Sequence, residues 1–173
     1  MNGTPEVVRV AEFQITLDSE AETDALGRRL ADASEPGLVI GLVGGLGAGK
    51  TRLVRATAIA LGADPQLINS PTFVLIQSYA ASVPIYHFDT YRLRDADEFA
   101  DLGPEEYFQP DTICFVEWSD RVLESLPEDL LRIELAVLAP TRRSAILTAD
   151  GPRAERVLAR IMQEEDHETP SIP

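Results

Sequence analysis

With a single cysteine, Cys114, the chain has no disulfide to close within itself, so its stability must come from an ordinary hydrophobic core. That cysteine lies in the apolar run Ile113-Cys114-Phe115-Val116, which reads as a small buried hydrophobe rather than a reactive thiol. Long apolar runs are also missing. None approaches the ~20 residues of a membrane-spanning helix, and Met1 to Thr16 lacks the basic and apolar segments of a signal peptide. A soluble, cytoplasmic protein with no membrane partner is expected. Positive charge is scarce as well: 15 Lys and Arg stand against 29 Asp and Glu, a formal net charge of -14. Such a field repels phosphate backbones and disfavours unaided binding to nucleic acid, although an acidic surface serves solubility equally well. There is no internal repeat.

At 173 residues, with 45% hydrophobic and 25% charged side chains, the chain suits one globular domain. Its expected limits are 1-162, followed by a disordered acidic tail, 163-173, punctuated by Pro170 and Pro173. Glu6 to Leu17 alternates like a strand. Ser19 with Glu22 fits a capping box opening a helix that Glu35-Pro36-Gly37 stops. Leu38 to Val43 is apolar enough for a strand buried on both faces of a parallel sheet, and a helix follows from Lys50 to the stop at Gly62 and Pro65. Further on, Phe73 to Tyr79 and Val83 to Asp89 read as a hairpin, Ala96 to Leu102 as a polar helix and Thr112 to Val116 as a strand. Leu131 to Val137 and Ser144 to Ala149 read as a second hairpin, and Arg153 to Met162 as a closing helix. The class is α/β: a P-loop NTPase-like domain with a mixed sheet flanked by helices.

The chemistry starts between the apolar strand and its helix. Gly44-Gly45-Leu46-Gly47-Ala48-Gly49-Lys50-Thr51 satisfies G-x-x-x-x-G-K-[ST], in which glycines let backbone N–H groups curl around nucleotide phosphates. Lys50 would place its ammonium on the β- and γ-phosphates, and Thr51 would bind Mg²⁺ through its hydroxyl. The helix N-terminus adds its partial positive charge. A strand-to-helix turn alone has no need of Lys-Thr at these positions. The metal then needs an acidic partner, and Glu117, ending the run Ile113 to Val116, would emerge at the carboxyl edge of the sheet, where α/β folds bind ligands. Asp89, ending Ile85-Tyr86-His87-Phe88, is a second acidic candidate, open between metal or water orientation and a salt bridge to Arg92. His87 suits a hydrogen-bonded structural histidine and is given no catalytic role. Ser70-Pro71-Thr72-Phe73 is either a γ-phosphate sensor or a turn, and Trp118 either stacks on a ligand or packs locally.

Taken together, these segments resemble the TsaE (YjeE) family of P-loop ATPases from the bacterial machinery that makes threonylcarbamoyladenosine in tRNA. Glu20-Ala21-Glu22-Thr23 with Leu26-Gly27, Leu46 to Thr51, Ser70 to Phe73, His87-Phe88-Asp89-Thr90-Tyr91-Arg92-Leu93 and Glu117-Trp118 match in order. The resemblance implies ATP with Mg²⁺, weak intrinsic hydrolysis without group transfer, and work in complex with TsaB and TsaD, so that tRNA is met only through those partners. It assigns the nucleotide to Gly45, Gly47, Ala48, Gly49, Lys50, Thr51 and Arg52, with Glu20 near the nucleoside end. It assigns the metal to Thr51 and Glu117, and catalysis to Lys50, Asp89 and Glu117. Two positions depart from the family pattern, which commonly has Asp in place of Gly45 and a second Thr in place of Arg52. Other uses of a P-loop are a small-molecule kinase, for which no Arg-rich lid is evident, and a nucleotide-operated binding module.

Overall fold

The computed structural model describes residues 11–68 and 74–168. Strand β1 (Ala11–Leu17) leads into helix α1 (Glu20–Ala33). The Ser19 side chain caps that helix by accepting from the Glu22 N–H. Glu22 reciprocates one residue earlier than a capping box requires, accepting from the Asp18 N–H at 2.7 Å. Strand β2 (Val39–Val43), the glycine loop and helix α2 (Lys50–Ala60) follow in the expected order. Next come β3 (Ile76–Tyr79), β4 (Ile85–Asp89), the short α3 (Ala96–Ala100) and β5 (Ile113–Glu117). Strands β6 (Leu130–Val137) and β7 (Arg143–Asp150) and helix α4 (Pro152–Glu168) complete the domain.

The strands form one mixed sheet in the order β1-β7-β6-β2-β5-β4-β3. Its centre is parallel: β2 lies between β5 and β6, and β4 runs parallel to β5. Antiparallel wings, β6 with β7 and β1 on one side and β4 with β3 on the other, arise from the two hairpins. Both faces of β2 are covered, one by α1, α2 and α4 and the other by the cluster around Phe88 and Phe99, which explains its unbroken apolar run.

Pleating sends alternate residues to two cores. Leu38, Ile40 and Leu42 join Leu26 and Leu30 of α1, Leu53 and Val54 of α2 and Val157 and Ile161 of α4. Val39, Cys114 and Val116 face the other way, toward Phe88 and Phe99. Cys114 is therefore the buried hydrophobe its sequence context indicated, and burial pushes its thiol up to about 12.

Two element limits move. The strand expected from Phe73 begins at Ile76, and the closing helix runs past Met162 to Glu168, so that the first part of the expected tail is helical. Residues 6–10 of the first expected strand, Ser70-Pro71-Thr72-Phe73 and residues 169–173 lie outside the described residues. Among the described residues no helix is long and apolar enough to cross a membrane. Because β2, β4 and β5 are parallel, their carboxyl ends share one edge of the sheet. That edge collects the glycine loop, Asp89 and Glu117.

Candidate functional site

A cleft of about 400 Å³ opens at this edge, and Glu20, Gly47, Gly49, Lys50, Thr51, Arg52, Asp89 and Glu117 all line it. Of the positions singled out in the sequence, Gly45 and Ala48 are in the loop but not in the cleft wall, and Ala48 is buried. Gly47 and Gly49 have φ of +75° and +106°, a left-handed backbone in which any side chain would be strained. Gly49 is the residue from which α2 departs, so the helix begins with no side-chain cap and its first N–H groups face the cleft region.

Lys50, the only lysine in the chain, is 5% exposed. Its ammonium donates to the carbonyls of Gly44 (2.6 Å) and Gly45 (3.0 Å) and lies 3.8 Å from the centre of the Trp118 ring. All three donor directions of the ammonium are thus met by the loop and one aromatic face. Burial holds the lysine pKa below its usual value, with the charges of Glu117, Asp89 and Asp120 acting in the opposite direction. Trp118 itself stands at φ +59°, the one non-glycine residue with positive φ among those described. It packs against Tyr91 at 5.0 Å between ring centroids.

Glu117 is 3% exposed, and its Oε1 accepts from the Thr51 hydroxyl at 2.8 Å and lies 2.8 Å from Nε2 of His87. A carboxylate buried at a cleft wall and already joined to the P-loop hydroxyl is a donor set that suits a hard divalent cation. No group of three or more His, Cys, Asp or Glu among the described residues could cage a metal alone. The set fits Mg²⁺, which keeps water and substrate oxygens as most of its ligands. Asp89 pairs with Glu117 across the β4–β5 register and accepts from the Tyr91 N–H at 3.0 Å.

Arg52 carries a role that spacing did not reveal. Its guanidinium grips Asp24 through two 2.7 Å hydrogen bonds and donates to Glu20 at 2.6 Å. The carboxylate that the resemblance set near the nucleoside is therefore engaged with Arg52, and α1 is clasped to α2. Two further residues were missed. Arg143, at the turn end of the β6–β7 hairpin, donates to the Gly47 carbonyl at 3.2 Å and lines the cleft. Arg121 donates to the carbonyls of Tyr91 and Leu93, tying the segment after Asp89 to the turn after Trp118. Neither arginine belongs to a motif, and each reaches the site from a distant part of the chain.

A glycine loop set between a central parallel strand and a helix, with a buried carboxylate on the neighbouring strand, defines a P-loop NTPase-like α/β domain. A family profile, "Threonylcarbamoyl adenosine biosynthesis protein TsaE", matches residues 17–145, and the chain belongs to that family. Proteins named "tRNA threonylcarbamoyladenosine biosynthesis protein TsaE" are its relatives in Bacillus subtilis and Treponema pallidum. The first is 38% identical over 84% of this chain and 90% of its own length, the second 38% identical over 72% and 92%. The crystal structure of Bacillus subtilis YdiB superposes with a TM-score of 0.76 at 31% identity, covering 90% of this chain and 97% of that one.

Proposed function

We propose that this chain is the ATP-binding, magnesium-dependent ATPase subunit of threonylcarbamoyladenosine formation in tRNA, acting in the cytoplasm with TsaB and TsaD. The observation that carries the reading is the 2.8 Å hydrogen bond from Thr51 to Glu117 beside the glycine loop. It joins a phosphate cradle to a metal-binding carboxylate, which phosphate chemistry at a P-loop requires.

In this reading the backbone N–H groups of the loop and the first turn of α2, including that of Arg52, take the phosphates. Lys50 exchanges its carbonyl contacts for β- and γ-phosphate oxygens, and the Trp118 ring keeps water from its other side. Thr51 and Glu117 would hold Mg²⁺, which would supply positive charge to the phosphate oxygens. Asp89, facing the same cleft, orients the attacking water. The ammonium and the loop N–H groups supply fixed charge where the transition state needs it, in a partly dry site.

A net charge of -14 gives the isolated chain no means of holding tRNA, so the RNA is reached through the partners. The test is ATP turnover by the purified chain, alone and with TsaB and TsaD, together with threonylcarbamoyladenosine measured in tRNA from depleted cells. Turnover that requires Mg²⁺ and rises with the partners, and loss of the modified nucleoside on depletion, are expected. Unaltered tRNA modification after depletion would sink the proposal.

A further inference from the structure

Glu117 is gripped from behind as well as from the cleft. On the interior side Nε2 of His87 lies 2.8 Å from its Oε1, and the Tyr79 hydroxyl lies 3.0 Å from Nδ1 of the same ring. The same hydroxyl lies 2.7 Å from the side-chain amide of Gln77. His87 is fully buried and Tyr79 is 5% exposed. The series Gln77, Tyr79, His87, Glu117, Thr51 therefore crosses β3, β4 and β5 and ends on α2 beneath the cleft. Because an ionised carboxylate only accepts, Nε2 carries the hydrogen that reaches Glu117, Nδ1 accepts the hydrogen of the Tyr79 hydroxyl, and the Gln77 amide turns its N–H to that hydroxyl.

We infer that His87 is a positioning residue for Glu117, with Tyr79 orienting the imidazole from behind. The inference rests on the reading of Thr51 and Glu117 as the magnesium end of the site. Burying an imidazole, a phenol and a carboxylate is costly unless each is satisfied, and an aromatic hydrocarbon would fill the His87 position at lower cost. What the polar series provides is direction. Two donors, from His87 and Thr51, converge on Oε1 and stop the carboxylate from rotating, while Oε2 has no donor among the described residues. A carboxylate fixed in this way meets a cation in one orientation instead of several. Hydrogen-bonded partners behind a metal ligand commonly govern metal affinity by about 10–100-fold.

The test compares nucleotide affinity, by calorimetry with a non-hydrolysable ATP analogue, in magnesium and in chelator. The ratio of the two affinities is the readout. His87→Leu removes the donor with little change in volume. It is expected to lose about tenfold or more of the magnesium enhancement while affinity in chelator stays within about threefold of the parent. His87→Gln, whose amide nitrogen reaches the Nε2 position, should recover most of that loss. Tyr79→Phe should lose a smaller share.

An undiminished ratio in folded His87→Leu overturns the inference, as does an equal loss in magnesium and in chelator, or failure of His87→Gln to rescue. If His87→Leu does not fold, Tyr79→Phe decides, and an unchanged ratio there overturns it. A parent protein with no magnesium enhancement removes the metal reading itself. A parent with enhancement that survives in the variants removes only the role of His87.

Discussion

Replacing Glu117 by Gln separates charge from shape at the buried end of the site. The amide keeps an oxygen at the Oε1 position for Thr51 and His87, so both 2.8 Å contacts survive in geometry. Hydrogen bonds to a charged acceptor contribute about 1.5–3 kcal/mol each and neutral ones about 1 kcal/mol, so neutralisation weakens the pair by about 1–4 kcal/mol. Removing a buried charge offsets this by a comparable amount. Net stability should change by no more than about 2 kcal/mol, and the variant should fold. Turnover is a different matter. Loss of a preorganised charge where charge develops costs about 10²–10³-fold, and here the cation loses its carboxylate ligand as well. Nucleotide affinity in chelator should hold or rise, since one negative charge no longer faces the phosphates. Chemical denaturation, calorimetry with and without magnesium, and steady-state ATPase rates read the three quantities separately. Turnover within threefold of the parent, in a folded variant, would refute the assignment of Glu117. The same profile from Asp89→Asn alone would show that the two carboxylates have exchanged roles.

The remaining predictions concern single groups. Lys50 is the only side-chain amine, so an acylating reagent has two targets, Lys50 and the chain's terminal amine; saturating MgATP should suppress reaction at Lys50 alone by mass spectrometry. Equal rates with and without nucleotide would remove Lys50 from the phosphate site. At Gly27 of α1 a Cβ would fall 2.5 Å from Cβ of Ala56 on α2. The helix-propensity gain of about 1 kcal/mol for Gly27→Ala is then outweighed by about 1–3 kcal/mol of overpacking, and Tm should drop by several degrees in a thermal melt rather than rise. Burial pushes the Cys114 thiol up to about 12, so at neutral pH it carries almost no thiolate. Iodoacetamide should leave it unmodified until denaturant is added, and rapid alkylation of the native protein would contradict its burial.

The glycine loop between β2 and α2 was legible in the sequence because its signal is local: glycine positions, a lysine and a hydroxyl within eight residues. Strand β2 was legible for a related reason, since a short apolar run that ends in a glycine loop suits a strand buried on both faces. What joins the site together was not local. His87 was recognised as a hydrogen-bonded histidine, but its partner on β5 follows from the parallel β4–β5 register, which no spacing encodes. Arg52 presents the same difficulty. Its position beside Thr51 offers a backbone N–H toward a phosphate, and where its side chain goes follows from the packing of α1 on α2, which brings Asp24 and Glu20 to it. Trp118, left open between stacking and packing, faces the Lys50 ammonium because a left-handed backbone swings it back over the loop, a conformation that composition does not forecast for tryptophan.

The strand order has a consequence for how the protein comes into being. When the ribosome has extruded the glycine loop and α2, strand β2 still lacks both its neighbours, because β5 and β6 are encoded after it. At about 5–20 residues per second, Glu117 emerges roughly 3–13 s after Lys50. The outermost strand, β1, waits longer still, since its partner β7 is made near the end of the chain. A nascent chain therefore carries the glycine loop without the carboxylate that hydrogen-bonds Thr51. The two halves of the site mature together, when the central strands close, and until then the cleft between loop and carboxylate does not exist.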